Sequence, residues 1–148
     1  MASAQIRFLY LMCNDVAAVK AFYVDLLGMT AGGFADTKEF GWLCLKCDGF
    51  EAMFFRADAK LPVADTFASQ PGWQGGTLEV PSWSVLVAED AFPGIVAKLK
   101  AAGAPRFRET PQWCQDSYWG FPVRDPMGNT VEVYTSPKAR PASTTWAS

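Results

Sequence analysis

The spacing of hydrophobic positions changes period repeatedly along the chain. Ile6 to Cys13 is an apolar, β-prone run that ends at Asn14-Asp15, residue types suited to start a helix. Val16, Val19, Phe22, Tyr23, Leu26 and Leu27 then recur at helical spacing, with Lys20 and Asp25 off that face and Gly28 as the stop. A short strand after Met29, a strand over Phe40 to Cys47, an Asp48-Gly49 turn and a strand over Phe50 to Arg56 follow. The predicted order is strand, helix, three strands.

Ala57 to Val80 breaks the pattern with Pro62, Pro71-Gly72 and Gly75-Gly76, and reads as a connector or lid in which Trp73 could pin the loop or cover a ligand. The series then restarts. Trp83 to Ala88 is a predicted strand, Glu89-Asp90 caps a helix with Phe92, Ile95, Val96 and Leu99 on its apolar face, and Gly103 ends it. A short strand near Arg106 to Thr110, a longer one over Gln115 to Arg124 and a last one over Thr130 to Thr135 complete the second series. Asp15 to Gly28 and Asp90 to Gly103 span the same interval, as an internal repeat requires.

Asp125-Pro126-Met127-Gly128-Asn129 separates the last two strands and is a hairpin turn, since Pro fixes φ and Gly or Asn accepts φ > 0. The helix Ala-Phe-Tyr-x-Asp-Leu-Leu-Gly-Met (residues 21–29), the repeat, and this turn followed by Glu132 together resemble the vicinal oxygen chelate superfamily of glyoxalase I, bleomycin-resistance proteins and extradiol dioxygenases. The resemblance implies an α+β fold: two tandem βαβββ modules whose curved mixed sheets surround a pocket. The modules would be residues 1–57 and 81–136, with a connector at 58–80 and a flexible tail at 137–148 unless Trp146 docks. It also implies a homodimer, which the exposed sheet edges make physically reasonable.

Composition narrows the chemistry. With 148 residues, half of them hydrophobic, the chain can bury a substantial core. A net charge of −2 without basic runs speaks against nucleic acid. The apolar run Phe8 to Met12 is too short for a membrane span and lacks the features of a signal peptide, so a cytoplasmic protein is expected. There is no His, which removes Ser-His and Cys-His catalysis and the two-His-one-carboxylate iron site. Cys44 and Cys47 match C-x-x-C but sit in a predicted strand, where residues three apart face opposite ways, so they and Cys13 and Cys114 read as packing thiols.

In the metalloenzymes that the chain resembles, ligands come from the first and last strand of each module. Counting back from Asp15 and Asp90 puts Phe8 and Trp83 in the first-strand positions; counting on from Gly49 and Gly128 puts Met53, with Glu51 as alternative, and Glu132 in the last-strand positions. Two carboxylates without imidazole or thiolate bind a divalent ion poorly, so no metal and no other cofactor is expected. Strand parity adds Tyr10, Met12, Val85, Val87, Thr130 and Tyr134 to the inward face. Trp42 and Cys44 join them, together with either Trp119 and Phe121 or Tyr118 and Gly120.

Such a cavity suits a small aromatic or hydrophobic ligand, as in the bleomycin-resistance branch, where an antibiotic is held unchanged. The alternative is a metal-independent enzyme with Glu132, or Glu51, as general base on an aromatic or polyketide-like substrate and Tyr118 or Tyr134 as hydrogen-bond donor. A metal-dependent lyase or dioxygenase and a pure interaction module are the remaining readings.

Overall fold

Asp15 starts the first helix as read: its carboxylate accepts the Ala18 N–H at 3.0 Å. In the computed structural model, which describes residues 4–68 and 80–147, two units are resolved, Met1–Val63 and Ala64–Ser148. Each carries one βαβββ series.

In the first unit β1 (Phe8–Cys13), α1 (Val16–Lys20), β2 (Ala31–Asp36), β3 (Gly41–Lys46) and β4 (Glu51–Arg56) form a mixed sheet of order β1-β4-β3-β2, with β1 parallel to β4. After Lys20 the helix widens into a π-helical segment, Ala21–Leu26, where Leu27 N–H bonds Phe22 C=O at 3.2 Å. A wider turn realigns the face: Val16, Val19, Phe22, Tyr23 and Leu27 are buried, while Leu26 is only half-buried. They pack on Leu43, Leu45 and Phe54 of the sheet, with the Tyr23 and Phe54 rings 5.4 Å apart.

In the second unit β5 (Ser82–Leu86), α2 (Phe92–Ala101), β6 (Gln112–Cys114), β7 (Tyr118–Arg124) and β8 (Thr130–Thr135) give the matching order β5-β8-β7-β6. Phe92, Ile95, Val96 and Leu99 are buried as the periodicity predicts. Three boundaries differ from the expectation. The helix N-cap is Ala91, without a side-chain cap, rather than Asp90. Arg106 to Thr110 supplies only an isolated bridge, Arg106 with Val123, and the edge strand lies at Gln112–Cys114. Gln115 and Asp116 are not in β7: they adopt positive φ and make the turn that enters it.

The hairpin turn holds itself. Asp125 accepts hydrogen bonds from Met127 N, Asn129 N and Asn129 Nδ2, and Gly128 sits at φ +79°. The described end of the connector is fastened to this hairpin: Ala64 N donates to Met127 C=O, Arg124 donates to Ala64 C=O and its guanidinium covers the Phe67 ring, and Ala68 N donates to Thr130 Oγ1 at 2.7 Å. Arg124 therefore holds the connector. Trp73 and residues 69–79 lie outside the described residues. The tail docks: Trp146 meets Phe92 and Trp119 edge-on, with centroids 5.5 and 5.0 Å away.

Candidate functional site

Strand register decides which side chains share a face. In the first sheet Phe8 pairs with Glu51, Tyr10 with Met53 and Met12 with Phe55, and β3 adds Trp42, Cys44 and Lys46. These lie opposite the helix-packed residues Leu43, Leu45 and Phe54. Phe8, Tyr10 and Met12 are exposed; the Phe8 and Tyr10 rings stack at 6.3 Å and Tyr10 leans on Phe55 at 5.8 Å. Gly33 makes room for Trp42, whose ring would lie 2.6 Å from a Cβ there. Phe8, Tyr10, Trp42, Glu51 and Met53 thus share one face. Cys44 Sγ donates to Glu51 Oε2 at 3.2 Å, and a cleft of about 230 Å³ opens beside Glu51 between Arg7 and Lys46.

In the second sheet the pairs are Ser82 with Thr130, Ser84 with Glu132 and Leu86 with Tyr134. Trp83 and Val85 instead pair with Val131 and Val133, which are fully buried on the helix side. The expected inward position of Trp83 is therefore a correction. β5 is displaced by one residue relative to the helix-based count, because the link from β5 to α2 is longer than that from β1 to α1, and one residue reverses a strand's faces. Leu86, paired with Tyr134, is exposed on the Glu132 face. Ser84, not Trp83, lies opposite Glu132.

The choice left open on β7 is also settled by register. Gly120 pairs with Tyr134 and Pro122 with Glu132, so Tyr118 and Gly120 share the Glu132 face. Trp119 and Phe121 are on the other side: Phe121 is fully buried, and Trp119 packs between Trp113 and Trp146. These two rings belong to the core.

Glu132, Tyr118 and Cys114 converge over Gly120. A Cβ at Gly120 would stand 2.8 Å from Glu132 Oε1, 3.2 Å from the Tyr118 ring and 3.7 Å from Cys114 Sγ. The Tyr118 ring lies beside Glu132 and Cys114 over Gly120 and meets Tyr134 edge-on at 5.6 Å. Glu132 is only 6% exposed, and its Oε1 is buried without a hydrogen-bond partner among the described residues. Burial raises the Glu132 pKa, partly offset by the nearby Tyr118 hydroxyl. Burial also raises Tyr118 and Cys114, and the neighbouring Glu132 charge adds to both, so phenol and thiol keep their protons at neutral pH. The sequence reading treated Cys114 as packing. A glycine inside the β-prone run Tyr118 to Arg124 is the signal that marked a close approach there.

In the first unit Tyr10 lies opposite Met53, with Glu51 two residues earlier on the same face; in the second unit Ser84 lies opposite Glu132. Among the described residues no group of three His, Cys, Asp or Glu side chains is placed to hold a cation. No described helix is long and apolar enough to cross a membrane.

The fold recurs among solved structures. The chain is similar to "Oxidase ChaP-H2" with TM-score 0.64 at 18% identity, covering 92% of this chain and 96% of that one. It is similar to the fosfomycin resistance protein FosX from Listeria monocytogenes, complexed with Mn(II) and sulfate, with TM-score 0.59 at 10% identity over 95% and 98% of the two chains. A lactoylglutathione lyase from Agrobacterium tumefaciens gives TM-score 0.55 at 20% identity over 90% and 94%. A search of curated protein sequences found no significant match. The family profile described as Glyoxalase/Bleomycin resistance protein/Dioxygenase superfamily matches residues 5–133, nearly the whole of both βαβββ series, and the chain belongs to that superfamily.

Proposed function

We propose that this protein binds a small aromatic or hydrophobic molecule without a metal ion, with Glu132 as the polar anchor. The observation that carries the reading is the buried Glu132 carboxyl beside the rings of Tyr118 and Tyr134, with one oxygen lacking a donor and no cation-binding group of three His, Cys, Asp or Glu among the described residues. Within the first unit, the rings of Phe8, Tyr10 and Trp42 and the thioether of Met53 form an apolar face of their own. Sequestration of an antibiotic is one use of such binding. Exposed edge strands support a homodimer, and the composition suits the cytoplasm.

The test is titration of chelator-treated protein with aromatic natural products, read by tryptophan emission, with the ligand then recovered and weighed by mass spectrometry. Saturable quenching and unchanged ligand support the reading. Binding that disappears with chelator and returns with one equivalent of manganese or zinc overturns it.

A second reading is favoured by the raised Glu132 pKa: metal-independent proton abstraction, with Glu132 as base and Tyr118 as hydrogen-bond donor. Product formation that survives chelator and is lost in Glu132→Gln would establish it.

A further inference from the structure

Strand β1 is an edge of the first sheet, paired on one side only, with β4. Its large side chains meet solvent on both faces of that sheet: Phe8 (45% exposed), Tyr10 (66%) and Met12 (49%) on one and Leu9 (44%) on the other, with Ile6 (69%) just before the strand. The direction of its backbone groups is fixed by the bonds at its two ends, from Glu51 N–H to Arg7 C=O at 2.9 Å and from Ala57 N–H to Cys13 C=O at 2.8 Å. These groups alternate along a strand, so Leu9 and Leu11 face β4 as Arg7 and Cys13 do, and the N–H and C=O of Phe8, Tyr10 and Met12 point out of the sheet. Among the described residues no backbone group pairs with them. Edges left in water are usually guarded by charge, proline or a bulge. Here the only charge from Ile6 to Met12 is Arg7, whose guanidinium turns back to the Gly49 carbonyl at 3.4 Å.

We infer that β1 pairs with β1 of a second copy, antiparallel about a twofold axis at Tyr10, so that two sheets join into one. This deepens the homodimer of the preceding reading by naming its contact, and does not depend on which molecule is bound. A small ligand covers one face of a sheet, whereas an added strand satisfies the edge and brings side chains to both faces, and β1 is exposed in all three places. The segment is also self-complementary. With Tyr10 opposite its own copy, Phe8 falls opposite Met12 and Met12 opposite Phe8, and all of these are the outward-bonding residues that exchange both bonds in an antiparallel ladder. The exposed apolar side chains offer on the order of 500 Å² per copy, so the twofold contact buries about 1,000 Å², the lower bound for a specific interface.

The test uses the full chain, with light scattering over a dilution series for the oligomeric state and amide hydrogen exchange by NMR for the edge. The expected result is a dimer in which the amides of Phe8, Tyr10 and Met12 exchange as slowly as those of Leu9 and Leu11. Tyr10→Pro deletes an outward N–H and leaves the bonds to β4 in place, so it keeps the fold and raises the dimer dissociation constant at least about tenfold. A dimer whose Phe8, Tyr10 and Met12 amides exchange fast, or one that Tyr10→Pro leaves intact, overturns the β1 contact while the homodimer stands. A monomer at every concentration overturns both, and ligand binding is read separately. The exchange comparison decides the matter in the wild-type chain even if the proline variant fails to fold.

Discussion

Gly120 and Glu132 occupy adjoining strands so closely that a single methyl group on Gly120 would stand 2.8 Å from Glu132 Oε1. The glycine is what allows a carboxyl to lie flat across β7. A Gly120→Ala change must push Glu132 away or shift the strand, and overpacking of this kind costs about 1–3 kcal/mol. Urea denaturation should show that loss, and ligand affinity should fall with it. An unchanged midpoint and unchanged affinity would mean that the carboxyl is free to move.

Burial raises the Glu132 pKa, so the folded state holds its proton more tightly than the unfolded chain does. The linkage follows in sign: stability from this group is full below the ordinary carboxyl value of 4.5 and is lost as pH rises through the higher folded value. Glu132→Gln removes this dependence. Urea midpoints measured from pH 4 upward should therefore decline less steeply in the variant than in the wild type, after the change common to both is subtracted.

The hairpin turn should tolerate little change. At Gly128 a Cβ would meet the Ala64 carbonyl oxygen at 2.0 Å, and the backbone is at φ +79°. Gly128→Ala therefore combines strain with a collision against backbone and should cost upward of about 3 kcal/mol. Asp125→Ala removes the acceptor for three hydrogen bonds and should cost on the order of 2–4 kcal/mol. Thermal unfolding of both variants checks this, with Gly49→Ala as comparison: Gly49 shares the positive φ but has open space where its Cβ would be.

Trp146 closes the apolar cluster of Phe92, Trp119 and Trp113, and Arg140 ties the tail to Asp116. Truncation after Pro137 should destabilise the second unit by about 1–3 kcal/mol and red-shift tryptophan emission as Trp119 meets water. A truncated chain with wild-type stability would show that the tail rests on the surface without contributing.

Elemental analysis of protein grown with manganese, iron and zinc should find each far below one equivalent. A single carboxylate, Glu132 opposite Ser84, competes poorly with water for a divalent ion. Full occupancy would require ligands outside this set.

Local signals carried much of the fold. Asp15, Gly28, Gly103 and the Asp125 to Asn129 turn each have a conformation dictated by their own chemistry, and the helix faces follow from spacing, so two strand-helix-three-strand series were legible without coordinates. The π-helical turn was not, because it leaves the apolar spacing almost unaltered.

The site divided differently. Side chains alternate along a strand, so the face of Trp83, Trp119 and Phe121 depends on register, and register depends on how many residues link β5 to a helix whose start is Ala91 and not Asp90. Glu132, Tyr118 and Tyr134 could be named from residue type and position along the strand. That Tyr118, Cys114 and Glu132 meet over Gly120, and that one carboxyl oxygen is left without a donor, arises from pairing between three strands, a property that no stretch of sequence holds alone.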